Sequence, residues 1–213
     1  MQLLWLIPSS PLIGFLLLLL WGRKLSPRAI PLIGVGSVGL AALVTVWVGM
    51  EFQSSSSNSI QLTLWHWFDV GTSSIGFSLY LDALSLTMSG VVTGVGFLIH
   101  WYAAAYMRED KSLARFFAYM NLFVCAMLLL VLADNLVLLY LGWEGVGLCS
   151  FLLIGFWYQD KKNADAARKA FIITRIGDTS MMLGLLLLFT SIGELQFEQI
   201  NIAVSQQWAV GES

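Results

Sequence analysis

Three ionisable residues lie inside otherwise apolar runs of this chain: Glu144 in LYLGWEGVGLCSFLLIGF, and Arg175 with Asp178 in AFIITRIGDTSMMLGLLLLF. A charge in the middle of such a run costs roughly 3 kcal/mol on insertion scales and more in simulations, so it needs a partner, a cavity or an ion path. A carboxyl in that setting carries a proton when a basic neighbour can switch its contacts. The same carboxyl also suits a structural clamp, hydrogen-bonded to a neighbouring helix. Arg175 and Asp178 are three residues apart and share one helical face, where they can pair. Such a pair is either a coupling element or a structural one whose attraction merely offsets desolvation. His100, in GFLIHWYAA, is a further candidate for a proton path, set against the simpler reading of an interfacial or packing histidine.

The elements that must position these residues are membrane-spanning helices. The chain is 58% hydrophobic and 11% charged over 213 residues, more apolar surface than one soluble core can bury. A spanning helix needs about 20 mostly apolar residues. Six stretches qualify, near Leu3–Trp21, Ala29–Met50, Leu84–Tyr106, Phe116–Leu132, Leu136–Trp157 and Ala170–Ile192. They predict an all-α, polytopic integral membrane protein of about six helices and exclude a β-barrel, whose strands alternate polar and apolar residues. The first run lacks a basic n-region, and Arg23 and Lys24 follow it, so it reads as a retained helix rather than a signal peptide. The predicted organisation is helices one and two in 1–50, an external loop or hairpin in 51–80, helices three and four in 81–133, helices five and six in 134–192, and an external polar tail in 193–213. In this scheme Glu144 lies about 12 Å below the outer edge of helix five, at 1.5 Å per residue. Asp178 lies about 12 Å in from the opposite edge if the hydrocarbon begins near Ala170. The two carboxylates are thus expected at different depths, with water or a third group between them.

Ten of the 11 Lys and Arg residues fall on alternate loops: Arg23, Lys24 and Arg28; Arg108, Lys111 and Arg115; Lys161, Lys162, Arg168 and Lys169. The positive-inside rule then puts both ends of the chain outside the cytoplasm. Trp5, Trp21, Trp47, Trp101, Tyr106 and Trp157 fall near predicted helix ends, as an aromatic belt does. Cys125 and Cys149 lie within predicted helices and read as packing residues. Metal-ligand spacing, nucleotide-binding loops and basic nucleic-acid patches are all missing from the sequence, so no cofactor or metal is expected in this chain and no nucleic-acid partner. The loop at 51–80 opens with the serine run Ser54–Ser57, then turns β-like from Leu62 to Val70 before Gly71, and is expected to form a hairpin in which His66 and Asp69 are solvated. Gly94 and Gly96 are expected to allow close helix approach, and Asn121 to bridge helices. Asp134 and Asn135 read as a tight outer turn, Asp82 as a helix-start charge, and Asn163 with Asp165 as the start of helix six.

The runs YLDALSLTMSGVVTGVGFLIHWYAAAYM, RFFAYMNLFV, LVLADNLVLLYLGWEGVGLCSFLLIGF and ARKAFIITRIGD closely resemble the chain 5 (subunit L) family of antiporter-like subunits in proton-pumping NADH:quinone oxidoreductase, respiratory complex I. The resemblance covers about Leu81 to Leu188 and is weaker in the first two helices. It implies that Glu144 is the key protonatable residue of a half-channel and that Arg175 and Asp178 form a conformational or proton-coupling pair. It also implies that FMN, iron–sulfur clusters and quinone belong to other subunits, that the neighbours are other membrane-arm subunits, and that the setting is a bacterial inner membrane. The GWEGVGLCSFLLIGF pattern is shared with subunits of multisubunit cation/proton antiporters and membrane-bound hydrogenases; a non-transporting scaffold is a further alternative. Family members run to more than twice this length, with a lysine on a broken seventh helix. The chain is therefore expected to be an N-terminal piece that does not conduct protons alone.

Topology follows directly from the charge pattern. Single cysteines at Ser56 and at Lys161 should label from opposite sides of sealed vesicles, and labelling from one side would overturn the helix count.

Overall fold

The computed structural model describes residues 3–55, 58–70 and 73–207. Ser56, Ser57 and the expected turn at Gly71 lie outside the described residues. Six apolar helices follow one another: α1 (Leu6–Trp21), α2 (Ala29–Ser54), α3 (Ala83–Tyr106), α4 (Leu113–Val131), α5 (Leu136–Ile154) and α6 (Lys161–Ile192). Between α2 and α3 stands the antiparallel pair β1 (Ile60–Val70) and β2 (Ser73–Leu81), and α7 (Phe197–Gln207) follows α6.

Five of these helices, α2 to α6, are long and apolar enough to cross a membrane. The remaining one, α1, has 16 residues, about 24 Å at the helical rise. It nevertheless runs the full depth of the bundle. Leu4, just before it, and Ile7, at its start, join an apolar cluster with Val48, Leu79, Leu81, Leu128 and Leu138, while Leu18 joins a second cluster with Ile30, Met107, Leu113, Phe117 and Phe156. The first cluster lies under the hairpin, and the second under the basic loops. The outward faces are as apolar as the interior: Leu32 is 75% exposed and Leu43 71%, a pattern that suits lipid and not water.

Several boundaries differ from the sequence expectation for identifiable reasons. Helix α6 begins at Lys161 rather than near Ala170, because hydropathy marks where hydrocarbon begins and not where a helix does. Its cap is Asp160, whose carboxylate accepts from the Lys162 N–H at 2.9 Å, so Asn163 and Asp165 sit inside the first turns and do not start the helix. At the far end Gly193 adopts φ 82°, the left-handed conformation that closes a helix, and Phe197–Gln207 of the stretch read as a polar tail forms α7. Helix α5 stops at Ile154, short of Trp157. The expected glycines of α3 do not mark a tight approach: Gly94 faces open space, and Gly96 leaves room for a Cβ at an ordinary 3.6 Å from Val124.

The outer face is tied together at Asp134–Leu136, which does more than turn the chain. Asn135 caps α5 by accepting from the Leu138 N–H at 2.9 Å, and its amide donates to the Gly76 carbonyl of β2 at 3.0 Å. The Asp134 carboxylate accepts from the Gln61 amide of β1 at 2.9 Å. The Leu136 N–H donates to the Leu195 carbonyl and the Phe197 N–H to the Asp134 carbonyl, fastening the start of α7. Hairpin, α4–α5 turn and α7 therefore share one face. The opposite face gathers the basic loops, where Arg115 reaches the Phe156 carbonyl and Trp157 reaches Asp110. Asp82 caps α3 in a reciprocal box with Ser85, and Asn121 bridges α4 to α2 by donating to the Gly34 carbonyl.

Burial pushes the Asp134 carboxyl above the usual carboxylate range; the Gln61 amide pulls it back, and Glu198 nearby raises it further. A raised native value means the folded chain holds that proton more tightly than the unfolded chain, so this contribution favours the fold at low pH and fades as pH rises through the native value. Asp134→Asn keeps an acceptor for Gln61 and removes the buried charge. It should leave the melting temperature unchanged or higher at pH 7, with the difference shrinking on acidification; a marked drop at pH 7 would show that the ionised form stabilises the outer face.

Candidate functional site

Glu144 is held at the seam between α5 and α6 by glycine on its other side. A Cβ at Gly142 would lie 2.6 Å from the Leu130 backbone nitrogen of α4, and one at Gly145 would lie 2.9 Å from the Ala126 Cβ. These two positions need glycine because α4 and α5 approach closely there. Glu144 consequently faces the neighbouring helix on the other side, α6.

The register of α5 against α6 brings the trio together. Phe151 and Phe171 rings lie 5.1 Å apart, and the Trp143 indole donates to the Asp178 carboxylate at 2.7 Å. Asp178 therefore lies level with Trp143, within a turn of Glu144, and the two carboxylates are not at different depths as expected. The reason is that α6 extends from Lys161 to Ile192, so its register against α5, and not the position of Ala170, sets the level of Asp178.

The expected third group between the carboxylates is Arg175. Its Nη1 donates to Glu144 Oε2 in a close ion pair, while its Nε lies 3.9 Å from Asp178 Oδ2. Three-residue spacing makes Asp178 the expected partner of Arg175, but the closer contact is to Glu144 on the facing helix. Nε is buried and makes no hydrogen bond, because 3.9 Å is too long for one. The guanidinium also sits 4.6 Å over the Phe171 ring. Each carboxylate accepts a hydrogen bond from a neutral donor. Tyr140 donates to Glu144 Oε1 at 2.7 Å, and Trp143 holds Asp178 Oδ1.

One cation thus stands between two carboxylates on adjacent helices, with Asp178 only 4% exposed. A single guanidinium is therefore shared between two carboxylates, and a buried charge without a paired partner is costly. Tyr140 and Trp143 were not singled out from the sequence. Tyr140 had a signal, since it precedes Glu144 by four residues and shares its helical face. Trp143 had little, because an indole in an apolar run ordinarily reads as lipid-facing or packing.

His100 stands apart from this network. It is 1% exposed on α3, its Nδ1 lies 2.7 Å from the Gly96 carbonyl, and its ring faces Phe117 of α4 at 6.1 Å. Among the described residues no hydrogen bond joins it to Glu144, Arg175 or Asp178. Cys125 and Cys149 are free and buried, and no cluster of metal-ligating side chains occurs among the described residues.

A multi-pass helical bundle with an arginine bridging two intramembrane carboxylates defines an antiporter-like membrane chain. Family models agree: residues 67–117 match the chain 5 N-terminus of NADH-ubiquinone oxidoreductase (complex I), and residues 133–212 match the transmembrane model of NADH:quinone oxidoreductase and Mrp antiporters. The chain belongs to the chain 5 and subunit L family of complex I. It is 54% identical over 203 residues to NADH-quinone oxidoreductase subunit L of Escherichia coli strain K12, covering 95% of this chain and 33% of that protein. Subunit L of Pseudomonas aeruginosa is 52% identical over 203 residues, covering 94% and 33%. The fold also matches a chain of the membrane-bound sulfane sulfur reductase, an archaeal respiratory membrane complex, with a TM-score of 0.75 at 22% identity over 94% of this chain and 30% of that one. The chain spans about a third of the length of the relatives it matches.

The neutral donors can be tested on their own. Trp143→Phe leaves Asp178 without its close partner and should lower stability by roughly 1 kcal/mol, between the ~0.6 typical of interhelical hydrogen bonds in membranes and the about 1.5–3 of bonds to charged groups. Thermal unfolding of the full chain in detergent measures this, and an unchanged transition would mean that the indole bond contributes nothing.

Proposed function

We propose that this chain is a proton-translocating part of the membrane arm of NADH:quinone oxidoreductase, and that Glu144 carries the proton. The observation supporting it is Arg175, in contact with Glu144 and 3.9 Å from Asp178. When Arg175 leans on Glu144, that carboxylate is stabilised as an anion. When the guanidinium shifts to Asp178, Glu144 keeps only the Tyr140 hydroxyl and takes up a proton. The arginine's movement then couples protonation to the relative position of α5 and α6. Tyr140 and Trp143 act as the fixed donors that keep each carboxylate oriented in both states.

In this reading Glu144, Arg175 and Asp178 carry the function, and His100 serves a separate branch or none. Electron transfer from NADH to quinone takes place elsewhere. FMN, iron–sulfur clusters and quinone sit in other subunits, and this chain carries no redox centre and is inactive alone. Its partners are the other membrane-arm subunits, the lipid bilayer and protons. The location is the bacterial inner membrane, with the basic loops in the cytoplasm and the N-terminus outside, as the positive-inside rule requires. A second reading, a subunit of a multisubunit cation/proton antiporter, has specific support in the family model for residues 133–212, which covers Mrp antiporters as well.

The test is made in the full-length protein within its complex. Glu144→Gln keeps the volume and cannot ionise, so proton pumping in reconstituted vesicles should fall by roughly tenfold or more, as for loss of a positioned proton-transfer group, while assembly is retained. Glu144→Asp should keep part of the activity. Wild-type pumping in the Gln variant would return Glu144 to a structural role, and sodium-dependent transport without quinone dependence would favour the antiporter reading.

A further inference from the structure

The basic rim of the bundle contains a cavity that the Glu144–Arg175–Asp178 network does not use. It measures about 430 Å³ and lies between the start of α4, the end of α5 and the first turns of α6. Its cations are Arg115 and Arg168, and its apolar wall includes Phe151, Leu152 and Phe171.

Arg115 is an unusual arginine for a membrane rim because it is spread over the wall instead of reaching outward. Its Nη2 donates to the Phe156 carbonyl at 3.1 Å, and its guanidinium carbon lies 4.8 Å from the Phe156 ring centre and 5.3 Å from that of Tyr158. Its Nε is buried and has no hydrogen-bond partner. A guanidinium offers five N–H donors. Among the described residues, Arg115 has no carboxylate in ion-pair contact.

The surrounding acids are already engaged. Asp110 accepts from the Trp157 indole at 2.9 Å and from the Ser112 N–H at 2.7 Å, and the Trp157 bond above all holds its carboxyl below the usual range, with Arg115 adding a smaller pull. Asp165 lies 3.9 Å from Arg168, with side chains 53% and 72% exposed, an arrangement that contributes little in water. Asp160 caps α6. Positive charge is therefore left facing the cavity, directly above an apolar wall, at the level where Trp157 and Tyr158 mark the membrane interface.

We propose that this cavity binds one anionic phospholipid, with its phosphate on Arg115 and Arg168 and its first acyl carbons against Phe151 and Phe171. A free phosphate would use the arginines and gain nothing from the apolar wall. A zwitterionic lipid would use the wall and bring no net negative charge to the cations. Basic pockets between transmembrane helices suit anionic head groups for this reason.

Native mass spectrometry of the full chain in mild detergent tests the site, by titration with phosphatidylglycerol, phosphatidylcholine or inorganic phosphate. Phosphatidylglycerol should bind at least about tenfold more tightly than phosphatidylcholine, and millimolar inorganic phosphate should not displace it. Arg115→Gln and Arg168→Gln should each weaken phosphatidylglycerol binding by about fivefold, the value of one basic side chain near an anionic surface. Arg23→Gln, on the other basic loop, should change nothing. Equal binding of the two lipids, displacement by phosphate, or unchanged binding in both arginine variants would overturn the proposal. If Arg115→Gln fails to fold, Arg168→Gln decides, because that side chain is largely exposed and its loss does not disturb packing.

Discussion

Everything in the second half of this chain depends on a charge that hydrocarbon will not accept alone. Two carboxylates and one guanidinium cannot be left separately in a bilayer without several kcal/mol of penalty. The α5–α6 register places them within one turn, so that Arg175 contacts Glu144 and remains near Asp178. That register rests on packing: Gly142 and Gly145 let α5 press against α4, and the Phe151–Phe171 contact sets α6 against α5. The electrostatic arrangement is a consequence of where small and aromatic side chains allow the helices to meet.

Legibility differed by the kind of physics involved. Helix number and membrane character were readable because about 20 apolar residues in a row have few other uses. Glu144, Arg175 and Asp178 were readable because an intramembrane charge stands out against its neighbours. Their pairing was not. Spacing along one helix identifies Asp178 as a neighbour of Arg175 but says nothing about the facing helix, whose register depends on packing that no local pattern encodes. The same limit hid Trp143, and it explains why Gly142 and Gly145 rather than Gly94 and Gly96 mark the close approach. The early start of α6 escapes hydropathy for another reason: its first turns are charged, and only Ala167 among them is buried.

Asp134 and Asn135 show how a correct local reading can be incomplete. Turn chemistry accounts for their identity, but Asn135 is fully buried and each also bonds to the hairpin. The outer face is thus a set of backbone and side-chain ties radiating from one turn, which links the hairpin, the start of α5 and the entry to α7.

The two halves of the bundle are held differently, and this bears on how a charge network could move. Helices α1 to α4 pack on one another through two apolar clusters and the Asn121 bridge, whereas α6 packs mainly on α5 and buries only Ala167 and Asp178. Cooperative opening requires least energy where few apolar contacts are lost. The seam that holds the arginine and its two carboxylates therefore lies on a helix that contributes to neither apolar cluster. The ties at Leu195 and Phe197 anchor the outer end of α6 to the turn that begins α5. The 3.9 Å gap between Arg175 and Asp178 thus lies on a helix tied at its outer end and lightly buried along its length.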